Sequence, residues 1–212
     1  MGPVFGLTLL LILLSPLLYR NELGTGIFTL GVAAIALMAL DRSGARRGVL
    51  VLARSVVVTM AVAALLSRIG DNSALETAAT ALLAVLLLVT PVIVVGRLLR
   101  RPRITLDTLS GALAAYLQFG LFFAALFRLV EDVSGDLFFG QAASWMEFQF
   151  FSYVTLTTLG YGNLVPQGDL GMTLASLEAI IGQIFLVTVV ALAVGNLGAE
   201  IPRRAQRGGG AG

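Results

Sequence analysis

The run Thr157-Thr158-Leu159-Gly160-Tyr161-Gly162-Asn163 alternates glycines with larger residues and opens on two hydroxyls. It suits one kind of chemistry, the exchange of water around an ion for oxygens fixed to a protein. Backbone carbonyls supply such oxygens if the chain is extended and they all point to one side. Gly160 and Gly162 permit backbone angles that other residues resist.

The elements that must hold this run are set by composition. The chain has 212 residues, 58% hydrophobic and 12% charged, with a mean hydropathy of +0.94. A soluble domain has about 25% charged residues, so an integral membrane protein is expected. There is no cysteine and no histidine. Disulfides, thiol chemistry and the commonest neutral-pH acid–base are therefore excluded. No metal-ligand cluster, nucleophile–base pair, Walker loop or Rossmann glycine pattern appears, so neither an enzyme nor a cofactor is expected, and no nucleic-acid partner. All fourteen basic residues are arginine, a bias that fits a GC-rich prokaryote.

A helical span needs roughly 20 apolar residues. Six segments approach this, at about 4–19, 24–40, 49–66, 74–95, 109–130 and 170–197. The first lacks the basic start and small-residue cleavage site of a signal peptide, so it is read as a helix. A seventh segment, 142–157, is too short and too polar to span. It carries Trp145, Glu147, Phe148, Gln149, Phe150, Phe151 and Tyr153. It reads as a re-entrant helix that dips into the membrane and ends at the run. Non-helical backbone at membrane depth is tolerated only within protein or along a water-filled path.

The expected fold is therefore an all-α membrane protein of six transmembrane helices plus a re-entrant helix and loop. Arginines set its orientation. Arg42, Arg46 and Arg47 follow the second span, Arg97, Arg100, Arg101 and Arg103 the fourth, and Arg203, Arg204 and Arg207 the sixth. All three groups fall on one side, which makes both termini cytoplasmic in a plasma or inner membrane. The loop with Glu131, Asp132 and Asp136 then faces outside, as does the mouth of the run. Three units result: 1–100, a four-helix unit; 101–200, a helix–loop–helix unit; and 201–212, a short Gly/Arg-rich tail expected to be disordered.

The run resembles the selectivity filter of tetrameric potassium channels, T-V-G-Y-G. The likeness is closest over 150–166 and plausible over 109–197. The first hundred residues match only in offering four spans. The resemblance implies that carbonyls of Thr158, Leu159, Gly160, Tyr161 and Gly162 replace water around the ion, and that potassium ions sit at Thr158, Leu159, Gly160 and Tyr161. It implies that the Thr158 hydroxyl adds an oxygen at the inner end of the row, and that Tyr161 turns its side chain away from the ion to brace it. One copy of the run cannot encircle an ion, so it also implies a homotetramer in lipid. Leu159 stands where valine is commonest, which leaves the carbonyl unchanged. Asn163 replaces the usual aspartate, and Phe150 and Phe151 replace a tryptophan pair. A tryptophan-to-aspartate bond behind the filter is thus impossible, and Thr157, Asn163, Phe150 and Phe151 must support it otherwise.

Gly182 lies where a glycine of that family acts as a gating hinge; the other reading is a small residue for close helix packing. Gly195 is a second hinge candidate. Glu178 is an ionisable residue within the last span, expected either to brace the pore helix or to be protonated. Gln183 is expected to face the cavity, with Val190 and Val194 as a dewetting gate. Arg97, Arg100 and Arg103 recur every third residue, as in a voltage sensor. The run starts where the apolar segment ends and Pro102 interrupts it, so anchoring at the cytoplasmic surface is the preferred reading. Three rivals stand beside a potassium channel: a weakly selective cation channel, a membrane subunit of a potassium-uptake system, and a non-conducting scaffold.

Overall fold

The structure, a computed structural model, describes residues 1–70, 72–98 and 105–208. Among them are seven helices: α1 (Gly2–Leu18), α2 (Glu22–Ser43), α3 (Arg47–Gly70), α4 (Ser73–Leu98), α5 (Leu106–Ser134), α6 (Trp145–Leu156) and α7 (Asp169–Gly208). Arg100, Arg101, Pro102 and Arg103 lie outside the described residues. So do the side chains of Arg68 and of residues 192–208.

Five helices, α2 to α5 and α7, are long and apolar enough to cross a membrane. Helix α1 has 17 residues, which at about 1.5 Å per residue falls a little short of a hydrocarbon core of about 30 Å. Helix α6, at 12 residues, is far too short, as its sequence leads one to expect. The chain thus has the all-helical, membrane-embedded architecture read from its composition.

Local signals set the helix ends. Asn21 accepts from the Gly24 amide to start α2, and Gly44, at φ 77°, closes it in the left-handed conformation that glycine adopts most readily. The backbone of α7 continues to Gly208. It thus runs through residues 201–208, which were expected to be disordered. Arg203, Arg204, Ala205, Gln206 and Arg207 are residues of good helix propensity, and the glycine run begins only after them.

The four-helix unit and the helices that follow share their cores. One cluster joins Phe28, Val32, Leu40, Met60, Leu83 and Leu87 to Leu121 of α5. A second joins Val4, Ile35, Ala39 and Val94 to Ala114 and Ala115. A third is aromatic and ties Phe123 and Phe127 of α5 to Phe148 and Phe151 of α6 through Phe138 and Phe139. Helix α1 packs on both α2 and α5, whereas α3 packs on α2 and α4 at the periphery.

Candidate functional site

Helix α6 aims the run. Its start is a capping box: Ser144 accepts from the Glu147 amide while the Glu147 carboxylate takes the Ser144 amide. Its middle is wedged between two helices. Ser152 Oγ lies 2.6 Å from the Gly120 carbonyl of α5 and 2.5 Å from Glu178 Oε1 of α7. Tyr153 donates to the Leu117 carbonyl at 2.8 Å. A Cβ on Gly120 would lie 2.3 Å from the Tyr153 ring, so only glycine lets α5 come this close. At its end, the Leu156 carbonyl accepts from the Tyr116 hydroxyl at 3.1 Å.

The backbone turns sharply after Leu156. Amides of both Leu159 and Gly160 point at the Val154 carbonyl, at 2.9 and 3.3 Å. In a pleated strand, neighbouring amides point opposite ways. In a trans peptide, the carbonyl opposes the amide of the same plane. The Thr158 and Leu159 carbonyls therefore both face away from α6. Left-handed residues alternate along the row, with φ 57° at Thr158, 61° at Gly160 and 77° at Gly162. Such alternation gathers amides on one side and carbonyls on the other. For β-branched Thr158 a positive φ is a strained state. Its hydroxyl donates to the Thr157 carbonyl at 2.7 Å and accepts from Gln183 Nε2 at 3.1 Å. Thr157 donates to the Tyr153 carbonyl at 2.6 Å. Residues 157–163 are all exposed, Leu159 by 58% and Tyr161 by 66%.

The expected supports divide. Phe150 lies parallel to Tyr161, with ring centroids 6.1 Å apart and 4° between planes. Phe151 turns the other way, into the aromatic cluster, 5.2 Å from Phe127 and 5.1 Å from Phe139. Asn163 lines a cavity of about 190 Å³ with Phe150, Phe151, Gly160, Gly162 and Pro166. Glu178 is fully buried against Ser152. Gly182 sits in continuous helix, and a Cβ there would meet the Leu156 carbonyl oxygen at 2.2 Å. Val190 is exposed on α7; Val194 and Gly195 fall where only the backbone is described.

The acids at the end of α5 are not a free anionic cluster. Arg128 pairs with Glu131 at 3.3 Å and Asp132 at 2.9 Å, and its guanidinium lies 5.9 Å from the Phe148 ring centre. Glu131 also takes the Phe138 amide at 2.9 Å. Several contacts have no sequence signal beyond residue type. Ser152, Gly120 and Tyr116 are one set. The other is a polar link in which Gln149 of α6 donates to Ser15 at 3.0 Å and accepts from Tyr19 at 3.1 Å. A glutamine and a serine within the aromatic-rich segment 142–157 were the available hint.

Residues 112–197 match the ion channel family model. The chain is 39% identical over 69 residues to the inward rectifier potassium channel Kirbac3.1 of Paramagnetospirillum magnetotacticum, which is 32% of this chain and 23% of that protein's length. No solved structure matches. The matched segment spans α5 from its seventh residue, all of α6, the row and α7 as far as Leu197, so the geometry and the match fall on the same elements. Over this segment the chain therefore carries an ion channel domain and is similar to a potassium channel.

Proposed function

We propose that four copies of this chain form a potassium-selective channel that passes ions down their electrochemical gradient. The observation that carries this is the row after α6. The Thr158 and Leu159 carbonyls point together, away from the helix and toward an exposed face. One row cannot surround an ion, so three further copies complete each ring of oxygens at Thr158, Leu159, Gly160, Tyr161 and Gly162. Thr157, Asn163, Phe150 and Glu178 support the row, while Phe151 holds α6 in the aromatic cluster behind it. The C-terminal end of α6, with its partial negative charge, favours a cation beneath it. Gln183 and Val190, with Val194 and Gly195, line the path below.

The finer topology belongs to the same reading. Helix α1 serves as a sixth span, short enough to thin the bilayer locally. The arginine groups put both termini in the cytoplasm, with 1–100 as a frame, 101–200 as the pore and 201–212 as a tail. The relative's printed name supports potassium as the ion.

A weakly selective cation channel is the second reading, favoured by Asn163 and by Phe150 and Phe151 where hydrogen-bonding partners stand in the family. Purified protein in liposomes decides between the two. Potassium flux at least about tenfold above sodium flux is expected from carbonyl selectivity. Equal fluxes would favour the second reading, and no flux of either ion would defeat both.

A further inference from the structure

Glu178 is fully buried in the middle of the α5–α6–α7 contact. Its Oε1 lies 2.5 Å from Ser152 Oγ, and Ser152 Oγ lies 2.6 Å from the Gly120 carbonyl oxygen. A hydroxyl has one hydrogen to give, and a carbonyl oxygen has none. The Ser152 hydrogen must therefore go to Gly120 for that contact to be a hydrogen bond. The second contact then needs a hydrogen from Glu178. Glu178 Oε2 is buried without a hydrogen-bond partner among the described residues. A carboxylate would leave this oxygen charged in an apolar site, at large cost. A carboxylic acid leaves only a carbonyl there.

The other groups near it agree. Tyr116 of α5 and Tyr153 of α6 are the titratable neighbours. Both give their hydroxyl hydrogens elsewhere, to Leu156 and Leu117 carbonyls. Among the described residues no arginine pairs with Glu178.

We infer that Glu178 is a neutral carboxylic acid that donates to Ser152, and that it is the positioning residue fastening α6 between α5 and α7. The inference rests on the reading of α6 as the pore helix. One directed chain runs from α7 through Ser152 of α6 to the Gly120 carbonyl of α5. An ionised Glu178 would draw the Ser152 hydrogen to itself and release Gly120. The proton thus decides whether α5 stays bonded to the helix that carries the row.

Infrared spectroscopy of the purified protein at neutral pH, with isotope-labelled glutamate, tests this without any ion flux. A protonated carboxylic acid band is expected that shifts with the label, vanishes in Glu178→Gln and moves in Ser152→Ala. Its absence from the unsubstituted protein overturns the inference. The glutamine amide can donate to Ser152 in the same way. Glu178→Gln should therefore keep potassium flux within about twofold, while Glu178→Ala loses about tenfold by stranding Ser152. A folded Glu178→Gln protein as impaired as Glu178→Ala would equally overturn it. A silent channel with the band present would instead count against the potassium-channel reading alone.

Discussion

At the scale of single residues, small side chains set how closely the pore helix is gripped. Gly182 is the sharpest case. Its α-carbon faces the Leu156 carbonyl, the last residue of α6 before the row begins. An added methyl group would stand 2.2 Å from that oxygen and 3.1 Å from the Leu156 side chain. Backbone cannot swing aside as a long side chain can, so the end of α6 must move. Overpacking of this kind typically costs about 1–3 kcal/mol. Gly182→Ala should therefore melt at lower temperature and also lose potassium flux, because the row begins directly after Leu156, at Thr157. A hinge role would give a different result, altered opening with unchanged thermal stability. Melting curves and liposome flux on one preparation separate the two.

At the scale of elements, the length of the apolar runs revealed six of the helices, and the short aromatic-rich insert revealed α6. That signal is strong because a membrane span must be a long, nearly unbroken apolar stretch. Contacts between elements are another matter. Glu178 and Ser152 are 26 residues apart, and Gln149 and Ser15 are 134 apart. Their meeting depends on the relative rotation of separate helices, which no local pattern encodes. Likewise Thr157 to Asn163 were legible as a row, whereas the amides turned to Val154 were not. The Gln149 link also shows that α1 touches α6 itself. Gln149→Leu should strand the Tyr19 hydroxyl and cost about 1–3 kcal/mol. Tyr19→Phe added to Gln149→Leu should recover most of it, because the unpaired group is then gone. A double-mutant cycle on thermal stability measures this coupling. Strictly additive losses would mean that the two side chains do not act together.

At the scale of the whole molecule, the question is whether the four-helix unit senses voltage or frames the pore. A sensor must carry charge through the membrane field, worth about 2.3 kcal/mol per charge per 100 mV. Helix α4 has no arginine before Arg97, which lies in its last turn. Arg97 is also held in place. Its Nη1 donates to the Ser43 carbonyl at 3.1 Å and to the Gly44 carbonyl. These carbonyls close α2, where the helix dipole is negative and a cation is favoured. Moving Arg97 outward would break this cap and drag it past the apolar core of Leu83, Leu87 and Val94. The unit moreover shares those cores with α5, and α1 is bonded to α6, so we propose that it acts as a buttress rather than as a separate moving body. Conductance should therefore vary shallowly between about −100 and +100 mV, the range over which a true sensor with three or four charges per subunit would switch. Arg97→Gln should lower thermal stability or expression through loss of the α2 cap, with little change in the conductance–voltage slope. Voltage-step recording in planar bilayers checks this. A steep sigmoid that Arg97→Gln flattens would mean that Arg97 leaves the α2 carbonyls during gating, and the buttress would have to be read as a sensor.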